Sequence, residues 1–350
     1  MIKIKIYDLD KHRNEITFRS FIANADLFRE IGIEFTTGES YDYAWIGHVS
    51  FSNKKVSLKQ SVEDGLEYLS KITGDYMLFD GQDATSLIGT ADVLRHSKAT
   101  AFLKYAYLPN FDQYKEKYAN GRWYWGPGDY NVPDIDDLKD KMYLMGTNWG
   151  STLFPKGDFK FYDLNTTQKK YDVCGMFQYP MTEKLYEHGL LQTTHYNDHR
   201  TPVFDAFDRL ENRMNIVRLQ NGKRIPHNEY LQNEYYSKIL VAPIGFGEYG
   251  SPRDIEAAQF SSVLLKPKMD NIVTSIPGNL YVDNETYIAC KWDYSDLEEK
   301  IDYILSNFNE LQERLTQNLR KALVADYNPI NLVTHIHGIF TNLNGIETDG

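Results

Sequence analysis

The chain has 350 residues, of which 42% are hydrophobic and 25% are charged, and its formal net charge is −11. This length allows about two domains with substantial cores, and the composition is that of a globular protein rather than a disordered one. The negative charge predicts no nucleic-acid partner, because no basic face would gain from counterion release.

The two cysteines, Cys174 and Cys290, lie in apolar, strand-like runs without metal-ligand spacing. This pattern predicts buried, reduced thiols. The first residues alternate isoleucine and lysine as a strand does, instead of forming the apolar core of a signal peptide, and no run is long enough to span a bilayer. We therefore expect a cytoplasmic protein without a transmembrane segment.

The first half of the chain alternates short apolar runs with amphipathic segments. Strands are predicted at residues 2–7, 33–35, 43–46, 76–79 and 101–108, and helices at 18–31 and 61–72. Strands that alternate with helices imply a parallel sheet covered by helices, which is a Rossmann-like half.

Three polar residues follow predicted strands of this half: His48, Asp80 and Asp83. Ligands of such sheets lie beyond the carboxyl ends of the strands, so one of these residues is a candidate general base for an acceptor hydroxyl. Turn and N-cap chemistry explains the two aspartates equally well, and a core histidine explains His48. Both interpretations stay open at this point.

Aromatic residues crowd among glycines and prolines from about residue 109 to residue 155. Rings in a loop-rich segment can stack on sugar faces, which makes this insert a candidate acceptor-side wall; packing around its own tryptophans is the alternative. A polar segment follows near residues 158–170. It predicts a boundary between a first domain, residues 1–165, and a second domain, residues 166–326.

The second half begins with a predicted strand at residues 171–174. His195 and His199 then have the i, i+4 spacing of a metal-binding pair, but Asn197 and Pro202 favour a polar loop there. A helix is predicted over residues 202–215. Later segments predict strands at 216–219, 280–282 and 287–290, and helices at 229–236, 297–308, 311–325 and 330–340.

The most informative stretch runs from residue 237 to residue 268. An apolar strand, residues 239–242, leads into a loop that contains Gly245, Gly247 and Gly250, and Ser251 with Pro252 then reads as the cap and first position of a helix. A second apolar strand follows the helix. Because a helix N-terminus after a glycine loop presents unpaired N–H groups, this unit suits a phosphate or pyrophosphate.

Two charged residues in this helix support that interpretation. Arg253 stands in the first turn, where a cation opposes the helix dipole unless an anion lies in front of it. Glu256 follows three residues later and can point from the same face towards ribose or sugar hydroxyls. The stretch therefore predicts a site for a sugar nucleotide.

A glycine loop followed by S-x-R-x-x-E-A-A and an apolar strand resembles the donor half of GT-B glycosyltransferases. The likeness is greatest to the exostosin-like and CgeB-like groups, in which the same run follows a strand that here contains Ser237, Lys238, Pro243 and Gly245. It covers roughly residues 169–305.

Glu248 and Glu256 also have the E-x7-E spacing of many retaining GT-B enzymes. The chain departs from the pattern where Ser261 and Ser262 replace a glycine and where Tyr249 stands in place of a proline. The choice between retaining and inverting chemistry therefore stays open.

The resemblance implies an α/β protein of the GT-B class, in which two Rossmann-like domains face each other across a cleft. Residues 327–350 would return the last helix to the N-terminal domain. The implied activity is a hexosyl- or pentosyltransferase that moves a sugar from a UDP- or GDP-sugar to a glycan or other hydroxyl acceptor. The implied donor-binding residues are Gly245, Gly247, Glu248, Ser251, Arg253, Glu256, Lys238 and Arg200. For Lys238 and Arg200, solvated surface charges are the alternative.

We expect this donor site to need no metal or other cofactor. Departure of a diphosphate requires charge neutralisation, which a helix N-terminus and a basic side chain such as Arg253 can supply. Asp-x-Asp pairs, which hold a divalent cation in GT-A glycosyltransferases, occur at Asp8 and Asp10 and at Asp134 and Asp136, all in the first half.

Two other functions compete with this prediction. A non-catalytic sugar-nucleotide or glycan-binding module would keep the donor pocket but lack a competent base. A different enzyme on two Rossmann halves, such as an epimerase or a dehydrogenase, is disfavoured because no G-x-G-x-x-G follows the first strand.

Overall fold

The structure, a computed structural model, describes residues 1–53, 55–81, 87, 89–115, 118–119, 122–123, 135–147, 153–162, 169–177, 186–187, 190–191, 193–219, 223–243, 251–269 and 280–343. Two parallel sheets organise these residues, one in each half of the chain.

The first half contains a six-stranded parallel sheet and a two-stranded hairpin. Its strands are β1 (Ile2–Tyr7), β2 (Ile33–Thr36), β3 (Tyr43–Gly47), β4 (Asp75–Asp80), β5 (Ala101–Lys104), the hairpin β6 (Tyr118–Ala119) and β7 (Arg122–Trp123), and β8 (Met142–Leu144). The order in the sheet is β2-β1-β3-β4-β5-β8. The predicted strand at residues 101–108 ends earlier, at Lys104.

Helices cover this sheet: α1 (His12–Ala23), α2 (Ala25–Glu30), α3 (His48–Phe51), α4 (Leu58–Ser70) and α5 (Thr90–His96), with 3₁₀ helices at Phe111–Lys115 and Asp136–Lys141. The prediction of a single helix over residues 18–31 is wrong, because one helix ends and the next begins at Asn24. The buried Asn24 amide donates to Ser20 O (2.7 Å) and to Pro155 O (2.8 Å). These bonds satisfy the polar group where the two helices separate.

Aromatic rings form the centre of the first core. Trp45 on β3 is fully buried, and its ring lies 4.7 Å from Phe79 and 5.1 Å from Phe21. The last helix of the chain closes this core, since the Phe340 ring meets Tyr43 edge-on at 5.1 Å. Tilted and edge-on rings at these separations are the favoured aromatic geometries.

The second half contains a five-stranded parallel sheet and another short hairpin. The strands are β9 (Tyr171–Gly175), the hairpin β10 (Tyr186–Glu187) and β11 (Leu190–Leu191), β12 (Ile216–Arg218), β13 (Ser237–Val241), β14 (Val263–Pro267) and β15 (Ile288–Cys290). Their order in the sheet is β12-β9-β13-β14-β15. Residues 280–282, predicted as a strand, form none and lead into a turn at residues 284–286 that a bridge between Asp283 and Tyr287 closes.

The helices of this half are α6 (Thr193–Leu210), α7 (His227–Tyr235), α8 (Pro252–Gln259), α9 (Leu297–Ser306), α10 (Phe308–Asp326) and α11 (Pro329–Leu343). The polar loop predicted around His195 and His199 is wrong, because α6 already begins at Thr193 and continues through Pro202. Val203 and Phe207 are fully buried. Burial of these side chains outweighs the helix-breaking tendency of the proline.

Each sheet is wound outwards from a central strand pair, β1 and β3 in the first and β9 and β13 in the second. Between the two strands of such a pair the connections leave in opposite directions, so a crevice opens at their carboxyl ends. The last helix packs on the first half, where His335 Nε2 lies 2.7 Å from Leu144 O. The predicted α/β fold, with two Rossmann-like halves and a terminal helix that returns to the first half, is confirmed.

The segment 153–162 passes between the halves and packs on the start of the returning chain. The Phe159 ring meets Tyr327 edge-on at 5.2 Å, and Gly157, at a φ of +67°, would bring a Cβ within 2.7 Å of Tyr327 O. Among the described residues, none of the helices has the length and apolar content to cross a bilayer.

Candidate functional site

Helix α8 begins beside the carboxyl ends of β13 and β14, with Ser251 as its N-cap and Pro252 as its first residue. Ser251 N donates to Asp254 Oδ2 (2.9 Å) and Ser251 Oγ donates to Asp254 Oδ1 (3.2 Å). The predicted helix start at Ser251 is therefore present. Gly245, Gly247 and Glu248 lie outside the described residues.

Asp254 ties the first turn of α8 to Lys266 on β14 and to Tyr281. Its buried carboxylate also accepts from Lys266 Nζ at 2.9 Å and from Tyr281 Oη at 2.6 Å. The Lys266 ammonium lies 4.2 Å from the centre of the Tyr281 ring. The sequence prediction missed Asp254, although a Ser-x-x-Asp spacing before an apolar helix is close to the capping-box signature.

Arg253 reaches from α8 to the loop that follows β9. Its Nη1 donates to Met176 O at 3.2 Å, so the side chain crosses the crevice between the ends of β9 and β13. Its Nε is buried and has no hydrogen-bond partner among the described residues. Burial acts to lower the pKa of Arg253, but Tyr230, Glu234 and Glu256 outweigh it and raise the pKa. The guanidinium is therefore a fixed cation.

Two carboxyl groups flank this cation. Glu256 is 8% exposed and accepts a hydrogen bond from Tyr230 Oη at 2.9 Å. Glu234 on α7 is fully buried, and the pKa of its carboxyl is raised well above the usual range by burial and by the neighbouring Glu256. Burial and the neighbouring carboxyl therefore favour the neutral form of Glu234. The sequence prediction found Glu256 but missed Glu234.

Beside Glu256 opens a cavity of about 820 Å³. Segment 153–162, the chain after β12, α7 and α8 line it, and six of its side chains are Tyr162, Leu219, Arg224, His227, Tyr230 and Glu256. The His227 and Tyr230 rings are stacked, with centroids 5.9 Å apart. This volume and the mixture of rings with a few polar groups are typical of small-molecule sites.

The other two predicted donor residues lie at opposite ends of the sheet. Arg200 on α6 is buried, and its guanidinium lies 5.3 Å from the ring of Phe177, in the loop that Arg253 also contacts. Lys238 lies at the amino end of β13 and pairs with Asp172 at 2.8 Å. Because the carboxyl edge carries the site, the structure brings Arg200 to the loop that Arg253 contacts and leaves Lys238 away from it.

The carboxyl edge of the first sheet carries a second polar cluster. His48 directly follows β3, and its Nδ1 lies 3.6 Å from Oδ1 of Asp80, the last residue of β4. Lys104, the last residue of β5, donates from Nζ to Asp80 Oδ2 at 2.7 Å. The structure thus joins two predicted residues to Lys104, which the sequence prediction missed. Asp83 lies outside the described residues.

Asp8 and Asp136, described members of the two Asp-x-Asp pairs, each pair with a nearby lysine. Asp8 accepts from Lys11 Nζ at 2.6 Å and from Tyr68 Oη at 2.9 Å, and Asp136 pairs with Lys139 at 2.8 Å. Asp134 lies outside the described residues. Among the residues that the structure describes, no group of three or more histidine, cysteine or acidic side chains is arranged to hold a metal ion.

No protein-family model and no curated protein sequence matches the chain. Among solved structures, the chain is similar to BGT of phage T4 with UDP and Mn²⁺ (10% identity, 98% and 99% of the two chains covered, TM-score 0.47). It is also similar to an alpha-glucosyltransferase with UDP and a 13-mer DNA containing a HMU base (12%, 98% and 99%, 0.46). A third similar structure is Anabaena HepE with UDP and glucose (10%, 98% and 100%, 0.42).

These structures correct two expectations from the sequence. The expectation that no metal is required is contradicted by the phage T4 BGT structure, which holds Mn²⁺ together with UDP. The expectation of no nucleic-acid partner is not supported, because the alpha-glucosyltransferase structure contains DNA. Net charge describes the whole surface, whereas a local basic site is enough to bind a polyanion.

Proposed function

We propose that the chain is a glycosyltransferase that binds a nucleotide-diphosphate sugar in its second half and transfers the sugar to a hydroxyl acceptor held by its first half. The proposed domains are residues 1–165, 166–326 and the returning segment 327–350. The observation that carries the proposal is the placement of Arg253, a half-buried cation with a buried Nε, in the first turn of a helix at the crevice between β9 and β13.

A diphosphate matches this environment. The helix N-terminus supplies a positive partial charge and N–H donors, and Arg253 adds a full charge with several donors. The cation opposes the helix dipole until an anion lies between them. Arg200 lies at the same loop as Met176 and can add a second charge as the diphosphate leaves.

The nucleoside would lie beside Glu256. Its carboxylate accepts a hydroxyl donor already, from Tyr230, so ribose hydroxyls suit the same oxygens. The adjoining cavity of about 820 Å³, with its stacked His227 and Tyr230 rings, offers room and a face for a base. UDP and GDP are the nucleotides to compare first.

The acceptor would meet the carboxyl edge of the first sheet. In the reaction, the bond from the anomeric carbon to the diphosphate oxygen breaks and a bond to the acceptor oxygen forms. The acceptor proton moves to a general base, and His48 is our candidate for that base. Asp80 is fully buried behind it, so we assign Asp80 the role of orienting His48.

Calorimetry with UDP and GDP, together with release of nucleoside diphosphate from a panel of UDP- and GDP-sugars, tests this function. The assays contain Mg²⁺ and Mn²⁺. We expect Arg253→Gln to weaken nucleotide binding by about 1.5–3 kcal/mol, the worth of a charge-assisted hydrogen bond. Arg213→Gln, which removes an exposed cation paired with Asp302, is the matched control and keeps wild-type affinity.

Absence of nucleotide binding in the wild-type protein would refute the proposal. So would equal affinities of the Arg253→Gln and Arg213→Gln variants. Binding without release from any sugar nucleotide, with candidate acceptors present, would favour the non-catalytic binding module instead.

A further inference from the structure

We infer that Lys104 is a positioning residue for the acceptor-activating base: it holds Asp80 from behind, so that Asp80 orients His48 without fixing a proton on it. This inference rests on the proposed function, in which His48 receives the acceptor proton. Lys104, Asp80 and His48 lie at the ends of three adjacent strands, β5, β4 and β3.

The geometry forms a chain of contacts across the sheet edge. Lys104 Nζ lies 2.7 Å from Asp80 Oδ2, and Asp80 Oδ1 lies 3.6 Å from His48 Nδ1. The Lys104 and Asp80 side chains are 1% and 0% exposed, so solvent screens their pairing little. The carboxylate therefore has one oxygen for the ammonium and one for the imidazole.

Lys104 is an unusual residue to end a buried strand, because burying an ammonium is costly unless it is paired. Without Lys104, Asp80 would also raise the pKa of His48, because a buried carboxylate beside a histidine strongly stabilises the imidazolium. A protonated imidazole cannot accept another proton. The Lys104 charge offsets that of Asp80 and keeps His48 in the neutral, base-competent form.

Other charged groups lie on the elements that pack around His48. Helix α3 packs against α1, α4, β3 and β4. The charged side chains of α1 and α4 are exposed or paired with one another, as Arg19 is with Glu15 and Lys71 with Glu67. Tyr68 on α4 bonds to Asp8, which also pairs with Lys11. Asp80, which Lys104 pairs with, is a fully buried charge in contact with His48.

Because Nδ1 faces Asp80 at 3.6 Å, Nε2 on the far side of the ring is the atom that takes the acceptor proton. The electron pair of the acceptor O–H bond then forms the new bond to the anomeric carbon, while the diphosphate leaves with the electrons of the old bond. The reaction uses no reactant besides the acceptor and the sugar nucleotide. In this scheme Lys104 contacts neither substrate nor the reacting atoms.

The first measurement is the pH profile of kcat for nucleoside diphosphate release. We expect Lys104→Met to move the acid limb of this profile to higher pH by about one unit or more, because the uncompensated Asp80 charge favours the imidazolium. For a shift of one unit from the ordinary histidine pKa, activity then falls about threefold at neutral pH and recovers at alkaline pH. The KM of the donor stays unchanged. Lys139→Met, at the exposed pair with Asp136, leaves the profile as in the wild type.

A second pair of variants isolates Lys104 if Lys104→Met alone does not fold. Asp80→Asn moves the limb to lower pH, because the Lys104 charge is then uncompensated. Adding Lys104→Met to Asp80→Asn removes both charges, leaves no unpaired buried ion and moves the limb back up. A double variant whose limb matches that of Asp80→Asn would overturn the inference, as would a uniform loss of activity at all pH values in Lys104→Met.

Histidine-selective ¹⁵N NMR tests the cluster without any activity, with the His48 signal identified by its loss in His48→Gln. We expect the His48 titration to shift to higher pH in Lys104→Met and not in Lys139→Met. An unshifted titration overturns the inference even if the enzyme is active. Conversely, a wild-type protein that releases no nucleoside diphosphate but shows the shifted titration refutes the glycosyltransferase proposal and leaves the charge relationship standing.

Discussion

Lys266 and Asp254 form a buried ion pair, with Nζ and Oδ2 2.9 Å apart, between the strand β14 and the first turn of α8. The same carboxylate oxygen accepts from Tyr281, and Asp254 also receives the Ser251 N–H. This ion pair therefore anchors the start of α8 to the sheet. This anchoring leaves the upper side of the turn, with Arg253, directed at the crevice.

We predict that Asp254→Asn destabilises the protein by about 3–5 kcal/mol, because it leaves the Lys266 ammonium buried without a counter-charge. Urea unfolding measures the change. The control is Asp302→Asn, which breaks the exposed pair with Arg213 and costs at most about 1 kcal/mol. Equal losses in the two variants would mean that the buried pair does not anchor the helix.

Tyr230→Phe tests the polar contact beside the cavity. Removing the hydroxyl removes one hydrogen bond to Glu256. The Glu256 carboxylate is then less rigidly oriented to accept hydrogen bonds from a ribose. We expect nucleotide affinity to fall by about 0.5–1.5 kcal/mol, the net worth of such a bond, while the far-UV circular dichroism stays unchanged. Calorimetry with UDP and GDP measures it. Tyr303→Phe, at an exposed tyrosine of α9, is the control, and identical affinities in both variants would remove Tyr230 from the site.

Glu234→Gln tests the raised pKa of Glu234, which burial and then Glu256 cause. Because the folded state favours the neutral carboxyl, its contribution to stability is complete below the unfolded pKa. It is lost as pH rises towards the folded pKa, since only the unfolded state ionises in that range. We expect Glu234→Gln to be more stable than the wild type at pH 8, with a smaller difference at pH 5.

Urea unfolding of both proteins at the two pH values measures this difference. Glu229→Gln, at an exposed position of the same helix, is the control and shows no pH-dependent difference from the wild type. A Glu234→Gln variant that gains no stability relative to the wild type between pH 5 and pH 8 would show that Glu234 is ionised in the folded protein.

Substitution by alanine is predicted to change the stability of the protein in opposite directions at two helical glycines. A Cβ at Gly65 in α4 would collide with Phe51 O, whereas nothing lies within 4 Å of a Cβ at Gly338 in α11. We expect Gly65→Ala to destabilise the protein by about 1–3 kcal/mol through overpacking, and Gly338→Ala to stabilise it by about 0.5–1 kcal/mol. Thermal unfolding measures both changes, and the same sign in both would contradict the packing of α4 on α3.

Much of the architecture follows from the sequence alone. The strands of both sheets have apolar runs of characteristic length, and the helices have apolar faces, so the α/β class and most element positions were predictable. The start of α8 was predictable from Ser251 and Pro252, because capping depends on local residue types. Where local preference and packing disagree, as at Pro202 in α6, the sequence prediction was wrong.

The polar clusters depend on tertiary structure instead. Asp80 and Lys104 are 24 residues apart, and Glu234 and Glu256 lie on different helices, so no sequence spacing announces either cluster. Only the pairing of adjacent parallel strands brings the ends of β3, β4 and β5 together, and the direction of β13 separates Lys238, at the amino edge, from Arg253, at the carboxyl edge. The sequence determined which residue types were available for chemistry. The sheet order decided which of them meet, because parallel strands gather side chains that are distant along the chain.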